Sequence, residues 1–175
     1  RKIIENQLRE SKQRYEHLVS NIPAGIYLLH TTPTGGFFFE YVSPRMEKIL
    51  GVSTENIIKD PEEAIKQIRP EDVEAFRKLN REVIEAKQPF FWEGRTIVEN
   101  RIKWLRIQSY PEPLGNGDFL WHGVVADITE QKNVEEVLKS IFLAAPTGIG
   151  VVSNRIIVKA NERLCEMTGY SSEEL

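Results

Sequence analysis

Three strand-like segments in succession constrain the fold of this chain more than any other feature. Residues 90–98, 102–110 and 119–126 carry apolar side chains at alternate positions, as a strand with one buried face requires, because successive side chains point to opposite faces. Short turns separate them, at residues 99–100 and 115–118, and both contain Asn. Such connections join antiparallel neighbours, so the three segments are predicted to form one antiparallel sheet.

The rest of the sheet is predicted to lie upstream, as a hairpin of residues 24–31 and 37–43. Four helices follow between residues 43 and 87, and each begins with Ser, Asp or Pro, which suit the first turn of a helix. Ser43 is the predicted cap of the first helix, and Gly51 ends it. This order of elements favours the α+β class, with helices packed on one face of a five-stranded antiparallel sheet.

Two further helices are predicted to flank this domain, at residues 1–21 and 130–144. Their seam residues are Ile4, Leu8, Ser11, Tyr15, Leu18 and Ile22 in the first helix and Val134, Leu138, Ile141 and Ala145 in the second. Both sets are spaced alternately four and three residues apart, which is the spacing of a coiled coil. We therefore predict a homodimer through both helices. The alternative for the first is an amphipathic helix that lies on its own domain.

Two stretches of sequence recur near the C-terminal end, which indicates an internal repeat. Residues 22–26, Ile-Pro-Ala-Gly-Ile, recur as Ala-Pro-Thr-Gly-Ile at residues 145–149. Residues 43–51 recur in the same way as residues 161–169. The chain is therefore predicted to begin a second, truncated copy of the domain.

The repeat and the flanking helices define four predicted segments. An N-terminal amphipathic or coiled-coil helix occupies residues 1–21, and the first domain occupies residues 22–129. A linker helix follows at residues 130–144, and the second copy starts within residues 145–175. Since the chain begins with Arg1 instead of Met, we expect it to be a fragment of a longer protein.

Several motifs in this sequence resemble those of the PAS family. Asp127-Ile128-Thr129-Glu130 follows a hydrophobic strand that contains glycine, which is similar to the C-terminal (PAC) motif of PAS domains. Arg69-Pro70-Glu71-Asp72 resembles the His-Pro-Glu-Asp turn of many PAS domains, with Arg in place of His. Trp104-Leu105 and Gly115–Asp118 also fit, and the resemblance covers about residues 14–132. It implies the PAS fold and a sensory role in signal transduction.

The residues after the last strand are predicted to form a signalling joint between strand and helix. Thr129 is the predicted N-cap, since its hydroxyl can accept a bond from a free backbone N–H group. Glu130 places negative charge at the positive end of the helix dipole. Asp127 is expected either to pair with a nearby Arg or Lys or to cap the turn.

PAS domains often bind ligands in a cavity between sheet and helices, and the resemblance implies the same location here. The candidate lining residues are Ile26, Leu28, Met46, Leu50, Ile65, Ile68, Phe76, Leu79, Trp92, Thr96, Leu105, Ile107, Ser109, Trp121 and Val125. The alternative is that these residues simply fill the core, as apolar residues at such spacings usually do.

The opposite sheet face is predicted to carry an apolar strip. Its members are Phe91, Leu120 and Val124, with the polar neighbours Glu93, Arg95, Arg106 and Gln108. Apolar surface of this kind is usually covered, here either by the N-terminal helix or by a partner subunit.

Composition and motifs exclude several classes of function. A net charge of −3 offers no basic surface for nucleic acid. No apolar run approaches the ~20 residues that span a bilayer, so we expect a cytoplasmic fragment without membrane contact, whose parent is free to be membrane-anchored. Phosphate loops, nucleophile elbows and metal-ligand spacings are absent, so no catalytic or metal-binding residue is predicted. The single cysteine, Cys165, fits a reducing compartment.

The resemblance also bears on cofactors. Haem-binding PAS domains use a His on the long internal helix, and residues 70–87 contain none. Flavin photoreceptors of the family need an Asn-Cys-Arg-Phe stretch, whereas Cys165 belongs to the second copy. Haem and flavin are therefore disfavoured, which leaves an unidentified small molecule as the candidate ligand.

The resemblance implies a regulatory PAS module, foremost one of a sensor histidine kinase in a two-component phosphorelay. PAS modules of diguanylate cyclases or phosphodiesterases are the alternative within signalling. An alternative of another class is a dimerisation module that binds no ligand.

Overall fold

The computed structural model of the chain describes residues 22–171 and residue 174. The predicted heptad helix of residues 1–21 lies outside the described residues. The chain divides after Thr129 into two compact units. No helix in the described part is long and apolar enough to cross a membrane.

The first unit is built on a five-stranded antiparallel sheet, which confirms the predicted fold class. Its strands are β1 (Gly25–Thr31), β2 (Phe37–Val42), β3 (Phe90–Val98), β4 (Arg101–Pro113) and β5 (Phe119–Asp127). They lie in the order β2-β1-β5-β4-β3, so the first and last strands of the domain pair side by side inside the sheet.

β4 extends beyond its predicted end and includes Pro111 and Pro113. Its pairing with β3 ends where Ser109 lies opposite Phe90, whereas its pairing with β5 continues to Pro113. One side of the strand therefore has no partner at the prolines, which is where a residue without an N–H group is tolerated.

In the described part of the first unit, four helices precede β3. They are α1 (Arg45–Leu50), α2 (Thr54–Lys59), α3 (Glu62–Ile65) and α4 (Pro70–Ala86). Ile49 and Phe76 from these helices join Trp92 and Leu105 from the sheet in one buried apolar cluster. Gly51 ends α1 at φ 70°, as predicted, a left-handed conformation that glycine adopts at little cost.

Ser43 does not cap α1, contrary to the prediction. The N-cap position of α1 is Pro44, without a side-chain hydrogen bond. The Ser43 hydroxyl accepts a hydrogen bond from the backbone N–H of Ile26 at 2.9 Å, and the Ser43 N–H donates to the Ile26 carbonyl at 2.8 Å. Ser43 therefore ties the start of β1 to the end of β2, a contact that local sequence cannot reveal.

The second unit follows Thr129. It contains α5 (Thr129–Ala144) from Glu130 onward, the hairpin of β6 (Gly150–Ser153) and β7 (Ile156–Ala160), and α6 (Glu162–Thr168). Asn161 stands where the repeat places Ser43, and it makes the corresponding contacts. Its N–H donates to the Ile149 carbonyl at 3.0 Å, and its Oδ1 accepts from the Ile149 N–H at 2.8 Å. The sequence repeat is therefore also a repeat of hydrogen bonds.

Candidate ligand cavity and strand–helix joint

A cavity of about 840 Å³ lies between the sheet and the helices of the first unit. Small-molecule sites typically enclose about 300–1,000 Å³, whereas packed interiors leave few voids larger than a water molecule. The cavity therefore has the size of a ligand site and exceeds that of a packing defect.

Most of the predicted lining residues do line this cavity. They are Met46, Leu50, Ile65, Ile68, Phe76, Trp92, Thr96, Leu105, Ile107 and Val125. The wall is thus shared between the helical layer and strands β3, β4 and β5.

Ile26 and Leu28 lie on the opposite face of β1 from the one predicted. Tyr27 pairs with Gly123 and Leu29 with Trp121 across β1 and β5, so Tyr27 and Leu29 share the inner face. The prediction was wrong because residues 26–29 are all apolar, which leaves no alternation to mark the faces. The polar His30, which lies on the outer face with Leu28, was the available signal.

Three other predicted residues lie near the cavity without lining it. Trp121 is buried behind the wall and donates its Nε1–H to the Thr31 hydroxyl at 3.0 Å. Ser109 is buried beside the Tyr27 hydroxyl, to which it is hydrogen-bonded. Leu79 is half-buried against the core cluster.

Tyr27, Leu29, Phe39 and Phe90 also line the cavity, although the sequence pattern did not single them out. Tyr27 and Phe39 meet edge to face, with ring centroids 5.5 Å apart. Phe90 makes the same kind of contact with Phe76 at 5.8 Å. Such contacts hold the aromatic rings in defined orientations, so they shape the wall.

The polar side chains inside the cavity wall already have partners within the protein. Thr31 accepts from Trp121, and the Thr96 hydroxyl lies 3.4 Å from the Lys103 carbonyl to which it donates. Burial raises the pKa of Tyr27 to about 12, although its hydrogen bond with Ser109 opposes the shift. Asn80, a partly buried lining residue, donates its amide N–H to the Phe76 carbonyl at 3.0 Å, so the interior presents few free hydrogen-bonding groups to a guest.

The exposed lining residues mark the mouth of the cavity. They are Pro33, Thr34, Gly35 and Phe37 of the first hairpin, Arg81, Glu85 and Lys87 at the end of α4, and Gly117 of the β4–β5 turn. Lys87 has φ 54° and its Nζ lies 4.9 Å from the ring centroid of Phe119, another lining residue. Charged side chains thus gather at the mouth and not in the interior.

The strand–helix joint, residues 127–130, is held by hydrogen bonds to β4. The Thr129 hydroxyl accepts from the Trp104 N–H at 2.9 Å and donates to Asp127 Oδ1 at 2.6 Å. Asp127 Oδ1 also accepts from the Thr129 N–H at 3.1 Å. Asp127 therefore caps the start of α5, whereas the predicted capping role of Thr129 is wrong because β4 engages its hydroxyl. Glu130 is exposed in the first turn of α5.

Lys103 connects the joint to α1. Its Nζ lies 3.5 Å from Asp127 Oδ2, and it donates to the carbonyls of Lys48 at 3.3 Å and Ile49 at 3.5 Å. Burial raises the pKa of Asp127, but the hydrogen bonds from Thr129 and the charge of Lys103 outweigh it, so this pKa lies below its ordinary value. Both roles foreseen for Asp127, ion pairing and capping, are present.

The outer face of the sheet carries the apolar residues expected there, with Phe91 54% and Val124 42% exposed. It also carries a charged cluster around His30. His30 Nδ1 lies 2.6 Å from Glu40 Oε1, and its Nε2 lies 2.8 Å from Asp118 Oδ2. These hydrogen bonds raise the pKa of His30, with Glu40 the larger contributor. The cluster joins the first hairpin to the β4–β5 turn.

Sequence models of two families match the chain. Residues 39–125 match a family described as PAS fold, and residues 136–175 match one described as PAS domain. None of the curated proteins matches the sequence.

Solved structures with a similar fold come from several kinds of protein. The N-terminal domain of a diguanylate cyclase with PAS/PAC sensor from Marinobacter aquaeolei is 21% identical, with a TM-score of 0.54 over 62% of this chain and 98% of that one. A sensory box histidine kinase/response regulator from Burkholderia thailandensis is 20% identical, with a TM-score of 0.51 over 72% and 92%. A LOV protein from Rhodobacter sphaeroides is 13% identical, with a TM-score of 0.51 over 74% and 73%.

At these identities the structures establish the fold alone, and the two family matches agree with it. The sheet order and the helical layer agree with that fold, and the PAS domain is a sensory, non-catalytic module. The chain belongs to the PAS-domain family.

Proposed function

We propose that residues 22–129 sense a small molecule in the cavity and pass its occupancy through the joint to α5. The observation that carries the proposal is that α1 both lines the cavity and binds the lysine that pairs with the joint. Met46 and Leu50 of α1 contact the cavity, and the carbonyls of Lys48 and Ile49 hold Lys103. A guest that displaces α1 therefore alters the restraint on Asp127.

β5 supplies a second connection between the cavity and the joint. Val125 lines the cavity two residues before Asp127 on the same strand. Ile128 then donates its N–H to the Trp104 carbonyl at 2.8 Å, so the pairing of β5 with β4 continues to the start of α5. A two-state shift of this kind needs a ligand that binds one arrangement better than the other.

The proposed parent is a sensor histidine kinase of a two-component system, of which this fragment would lie in the cytoplasm, with a diguanylate cyclase or phosphodiesterase as the alternative. Similar structures come from a diguanylate cyclase and from a histidine kinase.

We propose a homodimer through residues 1–21 and 130–144. This is supported by Val134, Leu138 and Ile141, each more than half exposed on α5 within the second unit. The same exposed apolar residues of α5 also favour the second candidate function, a dimerisation module that binds no ligand.

We propose that the cavity does not hold a flavin. The edge of the flavin ring system carries several hydrogen-bonding groups, whereas Thr31, Tyr27 and Thr96 are engaged within the protein. The amide nitrogen of Asn80, another lining residue, donates to the Phe76 carbonyl at 3.0 Å. The polar groups of a bound flavin would therefore lose their hydrogen bonds to water without gaining hydrogen bonds to the protein. No cysteine occurs in residues 22–129 either. α4 likewise offers no histidine to ligate haem iron.

The coupling can be tested without knowing the ligand, by filling the cavity. Ile65→Trp places an indole in the cavity and is expected to shift the amide NMR resonances of Asp127, Thr129 and Glu130. Lys103→Met should reduce that shift, because it removes the connection to α1, whereas Lys59→Met, at an exposed lysine of α2, should not. Joint resonances that stay unmoved by Ile65→Trp and by the milder Ala64→Leu contradict the proposal.

A further inference from the structure

We infer that the ligand of this cavity is an amphiphilic organic anion, whose apolar body lies inside and whose carboxylate lies at the mouth. The inference rests on the proposed sensing function and names the class of molecule that the same site takes. It is drawn from the separation of apolar and charged lining residues.

The interior selects for an apolar body. Its buried wall is formed by aliphatic and aromatic side chains, including Met46, Leu50, Phe90 and Trp92. Thr31 and Thr96, the buried polar residues of the wall, are hydrogen-bonded within the protein, and the Asn80 amide nitrogen donates to the Phe76 carbonyl at 3.0 Å. A polar group carried inside would therefore lose its water and find few free partners, which costs affinity.

The mouth selects for negative charge. Arg77 is neutralised by Glu62, to which it donates two hydrogen bonds, one of them 3.0 Å long. Arg81 forms no ion pair with any described residue. Lys87 forms none with the described residues either, and its ammonium lies over the Phe119 ring. Glu85 is the one acidic lining residue exposed beside these two cations. The cationic groups thus exceed the acidic ones where a ligand's end would emerge.

One of these cations lies against the ring of a lining residue. The backbone of Lys87 is fixed at the end of α4, in a left-handed conformation and with its N–H donating to the carbonyl of Ile84, itself a lining residue, at 3.3 Å. The Lys87 ammonium lies over the Phe119 ring, 4.9 Å from its centroid, and therefore beside the cavity. A carboxylate near it would form an ion pair with hydrogen bonds between two charged groups, which neither an alcohol nor a cation can form.

The test compares three probes whose alkyl chains are of nearly equal length: decanoate, decanol and decyltrimethylammonium. Each is titrated into the whole chain at neutral pH and low salt, and binding is followed by tryptophan fluorescence, since Trp92 lines the cavity. Decanoate is expected to bind about tenfold or more tightly than decyltrimethylammonium. Arg81→Gln with Lys87→Gln should weaken decanoate about tenfold while leaving decanol unchanged. Lys78→Gln, an exposed change on the same helix that does not line the cavity, should alter neither.

Two outcomes overturn the inference in different ways. If the three probes bind equally and the double variant changes nothing, the class of ligand is wrong while the sensing cavity stands. If no probe binds to the wild-type chain, the inference fails as well, and the NMR response of the joint to Ile65→Trp then decides whether the sensing cavity stands. The substituted side chains are exposed, so both variants should retain the far-ultraviolet circular dichroism of the wild type.

Discussion

The two copies of the repeat share the same hydrogen bonds at their first hairpin, but they differ in the size of the sheet to which that hairpin belongs. In the first copy, Ser43 joins the ends of a hairpin that becomes part of a five-stranded sheet. In the second, Asn161 makes the corresponding contacts around a two-stranded sheet, and it is the only buried residue among residues 130–171 that the structure describes. Local sequence signals therefore set the elements, whereas burial follows from strands that are distant in the chain.

The most demanding test of this comparison removes equivalent apolar side chains. Ile49 and Met167 occupy the same position of the repeat, but Ile49 is 3% and Met167 is 66% exposed. Ile49→Ala should cost about 2–5 kcal/mol of the free energy of unfolding because it leaves a cavity in a packed core. Met167→Ala should change it by no more than about 0.5 kcal/mol. Calorimetry of the whole chain measures both, and equal costs would contradict the difference in burial.

A second test compares the two hydrogen-bonding residues. Ser43→Ala leaves the Ile26 N–H without its hydroxyl acceptor and should destabilise the first unit by about 1–3 kcal/mol. Asn161→Ala should abolish hydrogen-exchange protection at Ile149 while the tryptophan-monitored unfolding of the first unit stays the same. Unchanged protection at Ile149 would show that the second copy does not depend on this residue.

Asp127 provides a smaller test at the end of the first copy, where it caps α5. Asp127→Asn keeps the shape but removes the charge that pairs with Lys103, and the pair is partly exposed. We expect a loss of about 0.5 kcal/mol in denaturant unfolding. Because the folded pKa of Asp127 is depressed, this contribution is present above its unfolded pKa and lost as the pH falls through the folded value. A loss that persists at pH values below the folded pKa points to a different cause.

The smallest expected effect is a pH dependence of the melting temperature that occurs in the first unit and not in the second. His30 has a raised pKa, so its contribution to stability is fully present below its unfolded pKa and is lost as the pH rises through the folded value. The melting temperature of the first unit should therefore fall over that range, and His30→Gln should remove this component. The second unit contains no histidine and should not show it. An identical pH profile in wild type and variant would exclude His30 as the source.

The sequence allowed the fold class, the strands of the sheet and most of the cavity wall to be predicted, because alternation and turn residues are local signals. The face of β1 was misassigned, since Ile26 and Leu28 belong to an unbroken apolar run. The mouth cations Arg81 and Lys87 were missed for a different reason. Charged residues at the exposed end of a helix are unremarkable until the fold brings the β1–β2 turn to the same opening. Periodicity in the sequence indicates which residues are buried, but it does not indicate which exposed residues surround the opening of a cavity.

Native mass spectrometry of the purified chain, followed by denaturing spectra of the same sample, tests the central claim most directly. The claim is that the first unit holds a small molecule in its cavity. We expect a non-covalent adduct that is lost on denaturation and is absent from Ile65→Trp, whose new side chain occupies the cavity. A bare chain under native conditions, or an adduct that Ile65→Trp retains, would contradict it.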